Sequence, residues 1–350
     1  MIPSRMDSGL SLNIMDSCKA ALLDLPFVIP DLVAEVNSLL DQIPRGSIST
    51  YGDLARALGD EKARSARWLG EFLKNHSCHA ECHCHRVVRV NGEIGRHVSG
   101  DPQVKIQLLR SEGVPVSDLG IADMTRCTPH LHSSSPLTRL REYQHGWAKQ
   151  VRFDGGPREV RSVAAVDVAY RPDGTAQGAY VQMDFPSLTV LREMVLRFPV
   201  VFPYIPGYLT FRELPVMLSL CEQARRENVL GDVIFVDGNG TLHPWRAGIA
   251  TCLGVLLDHP VVGVGKSLLC GKVDLEEMSA ADTRPVVDQG ETLANAIKSK
   301  EDSRPIFVSA GHRMTLTDAT RLARQSMTGH RLPEPIHHAD RLTRQPRKVD

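Results

Sequence analysis

The sequence predicts a two-domain α/β protein, in which a helix-turn-helix domain precedes a domain built on a mixed α/β sheet. A length of 350 residues is sufficient for two domains. Helical periodicity dominates residues 31–113, whereas apolar strand-like runs alternate with helices after residue 160. The predicted parts are an N-terminal extension over 1–30, a first domain over 31–118, a linker over 119–154, a second domain over 155–328 and a polar tail over 329–350 that is expected to be disordered.

The composition is that of an ordinary globular protein, with 42% hydrophobic and 23% charged residues. The formal net charge is zero, so composition neither supports nor excludes a nucleic-acid partner. No apolar run reaches the roughly 20 residues that a membrane helix needs. Eight cysteines without a recognisable signal peptide indicate reduced thiols and a cytoplasmic location.

Three helices are predicted in the first domain, over residues 31–40, 51–58 and 61–73. The last two are joined by a tight turn at Gly59, which is the arrangement of a helix-turn-helix. An ordinary helical hairpin has the same spacing and remains the alternative at this point.

The second domain shows the pattern of a three-layer mixed sheet. Its predicted strands cover residues 163–169, 178–183, 188–197, 233–237, 260–264 and 305–309. Its predicted helices cover residues 212–228, 247–258 and 291–300.

Three acidic side chains and one histidine stand out, and most of them lie where these elements begin or end. Asp167 interrupts an apolar strand, Asp237 ends another, Glu213 lies near a helix start and His312 follows the last strand. A carboxylate inside an apolar strand is costly unless it is paired or binds a cation. Hard oxygen ligands suit Mg²⁺, with Mn²⁺ as a substitute. Lys266 follows a strand and could contact a phosphate oxygen.

A rigid apolar segment precedes Glu213. Pro203 and Pro206 fix the backbone around Tyr204 and Ile205. Rigid apolar wedges of this kind are inserted between bases by proteins that distort DNA. Together with the acidic residues, the segment favours a metal-dependent nuclease that deforms DNA before cutting it.

Three thiols and three imidazoles are concentrated in residues 78–85. One interpretation is a zinc site, although zinc ligands usually come as two pairs separated by a loop. Another is a nucleophilic cysteine whose thiolate is favoured by an adjacent histidine. A cysteine-rich surface loop is the third.

Residues 155–328 resemble endonuclease V, a deoxyinosine-directed nuclease with an RNase H-like fold. The resemblance is carried by five segments in the family's order: VDV at 166–168, FPYIPGYLTFRE at 202–213, VDGNGTLHP at 236–244, VGVGK at 262–266 and SAGHR at 309–313. It implies that Asp167 and Asp237 are metal ligands, with Glu213 and His312 completing the catalytic set. It also implies Tyr204 in the wedge, Lys266 near the phosphate, and incision of the second phosphodiester bond 3′ to the lesion.

Residues 31–116 resemble the winged-helix-like DNA-binding, active-site domain of O6-alkylguanine-DNA alkyltransferase. The matching segments are IPRG at 43–46, STYGDLA at 49–55, SAR at 65–67, CHRVV at 84–88 and LLRSEG at 108–113. The resemblance implies alkyl transfer to Cys84, assisted by His85 and Glu112. It also implies that Arg67 fills the space of the flipped base and that Tyr51 helps to rotate the nucleotide.

The combined expectation is a bifunctional DNA repair protein, monomeric, acting on double- and single-stranded DNA that contains deoxyinosine or O6-alkylguanine. Inosine-containing RNA is an alternative substrate, since no residue reports on the 2′-hydroxyl. Two alternatives to alkyl transfer remain. The first domain could bind lesions without catalysis, or the whole protein could be a damage sensor that recruits partners. His83 and His97 occupy positions where the alkyltransferase family has proline and tyrosine.

Overall fold

A computed structural model of the protein describes residues 25–76, 82–95, 97–128 and 130–345. The described residues form two compact units. The helical unit comprises residues 29–142 together with 202–209, and the sheet unit comprises 25–28, 143–201 and 210–345. Most of the predicted N-terminal extension, and Cys78 within the cysteine-histidine segment, lie outside the described residues.

The helical unit contains four helices and a short parallel strand pair. Its elements are α1 (Leu32–Asp41), β1 (Ser49–Thr50), α2 (Tyr51–Ala57), α3 (Ala66–Asn75), β2 (Val87–Val88) and α4 (Pro102–Ser111). Side-chain caps fix where helices begin. Asp31 accepts hydrogen bonds from the first turn of α1, and Thr50 forms a capping box with Asp53 at α2.

The turn between α2 and α3 depends on Gly59. Its φ is +93°, and an added Cβ would collide with Thr138. The third predicted helix begins at Ala66 rather than at residue 61, because Ala63 has a φ of +50° and the Asp60 carboxylate accepts a hydrogen bond from the Ser65 backbone. The predicted helix-turn-helix pair is therefore present with a longer turn.

The predicted linker over residues 119–154 is wrong for most of its length. Ile121 and Ala122 form β-bridges with Glu93 and Val116, and α5 covers Pro136–Ala148. Helix α5 forms because Leu137, Leu140 and Trp147 recur at helical spacing and are all buried.

The sheet unit is built on eight strands in the order β5-β4-β3-β6-β7-β10-β9-β8. The strands are β3 (Ser162–Tyr170), β4 (Thr175–Asp184), β5 (Val190–Pro199), β6 (Val233–Asp237), β7 (Val261–Gly265), β8 (Thr283–Asp288), β9 (Glu291–Ile297) and β10 (Ile306–His312). Strands β3, β6 and β7 are parallel, and the remaining pairs are antiparallel. The helices of this unit are α6 (Leu209–Arg226), α7 (Ile249–Leu257), α8 (Leu316–Gln325) and α9 (Glu334–Arg344).

The central strands are buried on both faces, which explains their continuous apolar runs. Val163, Phe235, Val262 and Val308 are among the buried residues of one core cluster. Phe27, from the end of the predicted extension, packs edge-on against Trp147 with ring centroids 5.4 Å apart.

The helix predicted over residues 291–300 is a strand instead. Gln289 and Gly290 both have positive φ, at 52° and 83°, and form the turn of a hairpin between β8 and β9. Strand β9 also pairs with β10, so its backbone hydrogen bonds are made within the sheet.

The predicted disordered tail is also wrong, because residues 334–344 form helix α9. Pro335 lies in the first turn, where a missing N–H costs nothing. Ile336, Ala339 and Leu342 are buried where α9 contacts β3 and β4. This burial stabilises a helix whose other face is strongly polar. Among the helices of the described residues, none is long and apolar enough to cross a membrane.

Candidate functional site

Three carboxylates converge in the sheet unit. Asp167 lies in β3, Asp237 at the end of β6 and Asp340 in α9, and one oxygen of each lies within 4.8 Å of the others. The parallel register pairs Val166 with Val236, so the two aspartates that follow are neighbours on adjacent strands. Three oxygen ligands in this arrangement suit a hard divalent cation.

Burial and the charge of a neighbouring carboxylate make Asp167 and Asp237 hard to ionise. Burial, followed by the nearby Asp237 charge, raises the pKa of Asp167 to about 7. Burial also raises the pKa of Asp237, although Lys266 opposes this shift through a close ion pair. The Lys266 ammonium pairs with Asp237 and the Arg344 guanidinium pairs with Asp340 at 2.6 Å, which leaves the buried Asp167 carboxylate for a divalent cation to neutralise.

Glu213 contributes a fourth carboxyl group from α6. Burial raises its pKa to about 8, and the Asp167 and Asp237 charges act in the same direction. The Tyr170 hydroxyl donates a hydrogen bond to Glu213 Oε1 at 3.1 Å, and the Arg212 guanidinium lies 4.1 Å from the centroid of the Tyr170 ring. Glu213 is therefore held in position and favours its protonated form at neutral pH.

The predicted wedge is exposed only in part. Tyr204 is 60% exposed and Pro206 is also exposed, whereas Ile205 is fully buried and Pro203 is half-buried. Gly207 has a φ of +88°, which allows the chain to turn back after the tip. Ile205 was predicted to contact DNA together with Pro203, Tyr204 and Pro206, but its fully buried side chain anchors the segment from inside.

The helical unit contains a second polar cluster around Cys84. This buried cysteine begins a 3₁₀ turn over Cys84–Arg86. His85 Nε2 lies 3.1 Å from Glu112 Oε1, and Arg86 donates to both Glu112 oxygens at 2.8 and 2.9 Å. Although burial opposes the shift, the Arg86 and His85 contacts lower the pKa of Glu112 to about 2. Burial lowers the pKa of His85, which favours a neutral imidazole able to accept a proton.

A cavity of about 360 Å³ lies in the same unit. Tyr51 and Arg67 both contribute to its lining, together with Gly70, Lys74 and Arg89. The two residues implied by the alkyltransferase resemblance are thus brought together at one concave, basic surface.

Lys105 was not anticipated from the sequence. It is almost completely buried and donates a hydrogen bond to the carbonyl of Val87. Burial lowers its pKa to about 8, while the nearby Cys84 opposes this shift.

A second thiol lies close to Cys84. Hydrogen bonding to Cys84, together with His76, lowers the pKa of the half-buried Cys82 to about 4. All the cysteines of the described residues are free thiols. Cys82 is therefore a competing nucleophile that any labelling experiment must resolve from Cys84.

Comparison with known proteins assigns the sheet unit to a family. The sequence model described as Endonuclease V matches residues 146–341, more than half of the 350-residue chain. The chain belongs to the endonuclease V family. The sequence model described as 6-O-methylguanine DNA methyltransferase, DNA binding domain, matches residues 31–114. Both predicted resemblances and the predicted fold class are confirmed.

Relatives of known structure and sequence agree with this assignment. Endonuclease V of Rippkaea orientalis is 37% identical over 207 residues, which cover 59% of this chain and 89% of the relative. The solved catalytic domain of human endonuclease V is 32% identical with a TM-score of 0.57, covering 61% of this chain and 96% of that one. Endonuclease V of Ciona intestinalis, solved in complex with a 24mer DNA containing an inosine followed by a ribo-adenosine, is 25% identical with a TM-score of 0.54, covering 59% and 96%.

The endonuclease V site departs from the sequence prediction at His312. The strand register pairs His312 with Val261 at the start of β7, whereas Asp237 pairs with Val264 near its end. Three strand residues correspond to about 10 Å, so His312 lies towards the opposite end of the sheet. Its ring contacts Asp258 at 3.2 Å and the Arg152 backbone nitrogen at 3.3 Å. The expectation that His312 converges with the acidic residues of the catalytic set is therefore wrong.

Lys266 lies beside the predicted metal ligands. Its ammonium pairs with Asp237 while its side chain is 42% exposed, so the predicted contact with a phosphate oxygen stays a prediction. The raised pKa of Lys266, caused by Asp237 and Asp167 in opposition to burial, keeps it charged.

The sequence prediction missed Asp340 because its segment was interpreted as a polar tail. A usable signal was present, since a proline near the start of a segment with apolar residues at 336, 339 and 342 is typical of an amphipathic helix. Asp340 lies one position beyond Ala339 in this pattern. The Thr343 hydroxyl, one turn later, reaches Asp167 Oδ2 at 3.5 Å.

Proposed function

We propose that the sheet unit is a Mg²⁺-dependent endonuclease that incises the second phosphodiester bond 3′ to deoxyinosine, leaving 3′-hydroxyl and 5′-phosphate ends. The convergence of Asp167, Asp237 and Asp340 is the observation that carries this proposal. The inosine-containing DNA bound by the Ciona intestinalis relative supports the choice of substrate.

In this proposal Asp167, Asp237 and Asp340 hold the cation, and Mn²⁺ can replace Mg²⁺. A bound divalent ion supplies charge neutralisation at the scissile phosphate and lowers the pKa of water. Glu213 holds a proton that is available to the departing 3′-oxygen, and Tyr170 keeps its carboxyl group in position. Lys266 limits repulsion among the carboxylates.

Incision of an inosine duplex tests the nuclease proposal. Asp237→Asn should abolish incision while DNA binding persists, because the substitution removes a ligand oxygen without changing side-chain volume. The matched control is Asp302→Asn, an exposed position of the same unit that should cut normally. Normal nicking by Asp237→Asn would overturn the assignment. Parallel inosine substrates made of DNA and RNA decide the sugar preference.

We further propose that Tyr204 is the residue inserted into the base stack, because it is the exposed aromatic of the rigid segment. Tyr204→Ala should reduce incision of duplex lesions about tenfold more than incision of single-stranded lesions, since only the duplex requires unstacking. Tyr204→Phe should retain most activity. Equal losses on both substrates would exclude a wedge.

For the helical unit we propose single-turnover transfer of an alkyl group from O6-alkylguanine to Cys84. The Cys84 sulfur bonds to the alkyl carbon as the carbon–O6 bond breaks. The thiol proton passes through His85, supported by Glu112, to the departing guanine. Tyr51 and Arg67, which line the basic cavity, would hold the rotated nucleotide.

Transfer of a labelled methyl group tests this second activity. Cys84→Ser should abolish labelling and leave inosine incision intact, whereas the control Cys127→Ser should be labelled normally. Peptide mapping must place the label on Cys84. Label on Cys82 would contradict the assignment.

A second candidate function for the helical unit is lesion binding without transfer. It is favoured by His83 and His97 in place of the proline and tyrosine implied by the resemblance. Specific binding of an O6-methylguanine duplex without any labelling would establish this alternative. If the protein also failed to nick DNA in the presence of a divalent metal, the result would favour a non-catalytic damage sensor.

A further inference from the structure

His76, Cys82 and Cys84 form a cluster that neither proposed reaction uses as a set. One ligand-type atom of each residue lies within 4.8 Å of the other two. His76 ends α3 as its C-cap, Cys82 precedes the 3₁₀ turn, and Cys84 begins that turn. A neutral imidazole and two thiolates are the ligand types that Zn²⁺ prefers.

The hydrogen bonds of His76 fix which ring nitrogen can bind a metal. Its Nδ1 lies 2.8 Å from the carbonyl oxygen of Leu73, which can only accept a hydrogen bond. Nδ1 must therefore carry the proton, and the lone pair of the neutral ring lies on Nε2. Nε2 lies 3.1 Å from Cys82 Sγ, so this lone pair points into the cluster. A metal-bound histidine characteristically donates its other N–H to a carbonyl in this way.

The separation of His76 Nε2 and Cys82 Sγ is close to the edge of a tetrahedral zinc site. Zinc–sulfur and zinc–nitrogen bonds of about 2.3 and 2.0 Å place neighbouring ligand atoms about 3.5 Å apart. The separation of 3.1 Å between His76 Nε2 and Cys82 Sγ is slightly shorter than this edge. His76 and Cys82 are only half-buried, which leaves a route for the ion to enter.

The charges of the cluster also match. One neutral imidazole and two thiolates carry two negative charges, which a divalent zinc ion neutralises. The three protein ligands leave the fourth tetrahedral position to another ligand. We propose that His76, Cys82 and Cys84 bind one Zn²⁺ ion through His76 Nε2 and the two sulfur atoms, so that Cys84 is shared between a metal site and alkyl transfer.

Cobalt substitution of the reduced full-length chain tests this site without relying on either activity. Co²⁺ bound by thiolates in a tetrahedral site gives sulfur-to-metal charge-transfer bands and intense visible bands, which carboxylate sites do not produce. We expect one equivalent of Co²⁺ to develop these bands and one equivalent of Zn²⁺ to displace it.

Variants assign the ligands. Cys82→Ser and His76→Ala should each weaken zinc binding by about 10- to 100-fold or more. The matched controls Cys127→Ser and Cys270→Ser, which alter free thiols outside the cluster, should bind zinc like the unmodified chain. Circular dichroism of each variant excludes unfolding as the cause of a loss.

Two outcomes would overturn the proposal. One is full-affinity zinc binding by Cys82→Ser. The other is the absence of the thiolate–cobalt bands in the fully reduced chain. The experiment measures metal binding, so failure of the nuclease or transfer assay would not count against the proposed zinc site.

Discussion

The Asp167 side chain is buried, and it lies near both the Asp237 carboxylate and the Lys266 ammonium. Its position inside an apolar strand identified it from the sequence, as did the position of Asp237 at a strand end. The same reasoning did not identify Asp340, because an acidic residue on the polar face of a helix does not differ from its polar neighbours. His312 shows the reverse error, since a histidine in a distinctive sequence segment serves as a hydrogen-bonding partner of Asp258.

A direct comparison of Asp340 with His312 tests this correction. Asp340→Asn should raise the Mg²⁺ concentration needed for half-maximal incision by at least about tenfold, because it removes a ligand charge. His312→Asn should leave the metal requirement unchanged and lower thermal stability, because it breaks the contacts to Asp258 and Arg152. Incision measured against Mg²⁺ concentration provides the comparison. A raised requirement only in His312→Asn would restore the original prediction.

The raised pKa of Asp167 predicts an unusual pH dependence for the metal-free protein. Its folded-state pKa of about 7 exceeds its ordinary value of 3.8, so between these values the folded state binds more protons than the unfolded state. Stability in the presence of a chelator should therefore fall as pH rises from about 4 to about 7.

Mg²⁺ should reverse that loss, because the cation replaces the protons. Thermal unfolding measured across this pH range, with chelator and with Mg²⁺, checks the prediction. Asp167→Asn should flatten the curve recorded with chelator. Equal slopes for the variant and the unmodified protein would exclude Asp167 as the source.

At the scale of elements, strands whose apolar residues run without interruption were predictable, and those defined by their partners were not. Residues 291–297 contain alanine, leucine and asparagine in a pattern compatible with a helix, and only pairing with β8 and β10 makes them a strand. Helix α9 likewise depends on burial against β3 and β4 rather than on strong local preference.

The turn after β6 illustrates how close packing selects glycine. A Cβ at Gly240 would collide with the carbonyl oxygen of Ala310 in β10. Gly240→Ala should thus destabilise the sheet unit by about 3 kcal/mol, since the obstacle is backbone.

Gly146→Ala is the matched control for this substitution. Nothing lies within 4 Å of a Cβ at Gly146, which is in α5, so the change should stabilise the helix by up to about 1 kcal/mol. Urea unfolding of both variants gives the comparison. A Gly240→Ala variant as stable as Gly146→Ala would show that β10 can move away.

At the scale of the whole molecule, the sequence predicted the two-domain order and both family resemblances, because each domain carries its own short motifs. The boundaries between the domains were harder to predict from the sequence. Residues 119–142 lack strong periodicity, yet they belong to the helical unit through isolated bridges and the start of α5.

Separate sites predict separable activities. Omission of Mg²⁺ should abolish incision of inosine DNA and leave methyl transfer to Cys84 unchanged, since only the nuclease carboxylates require Mg²⁺ in our proposal. Both assays on one preparation, with and without Mg²⁺, check this. Restoration of incision by added Mg²⁺ is the control, and a parallel loss of transfer would indicate that the activities share a metal.

The position of Asp340 in α9 has a consequence for biosynthesis. The ribosome adds Asp167 and Asp237 to the chain well before it adds Asp340. Strands β3 and β6 can therefore pair while α9 is still untranslated. A nascent chain released before residue 340 would hold only two of the three acids, so premature termination would yield a protein with a nearly complete sheet and a deficient cation site. Translation itself thus delays the ability to cut nucleic acid until the sheet has been formed.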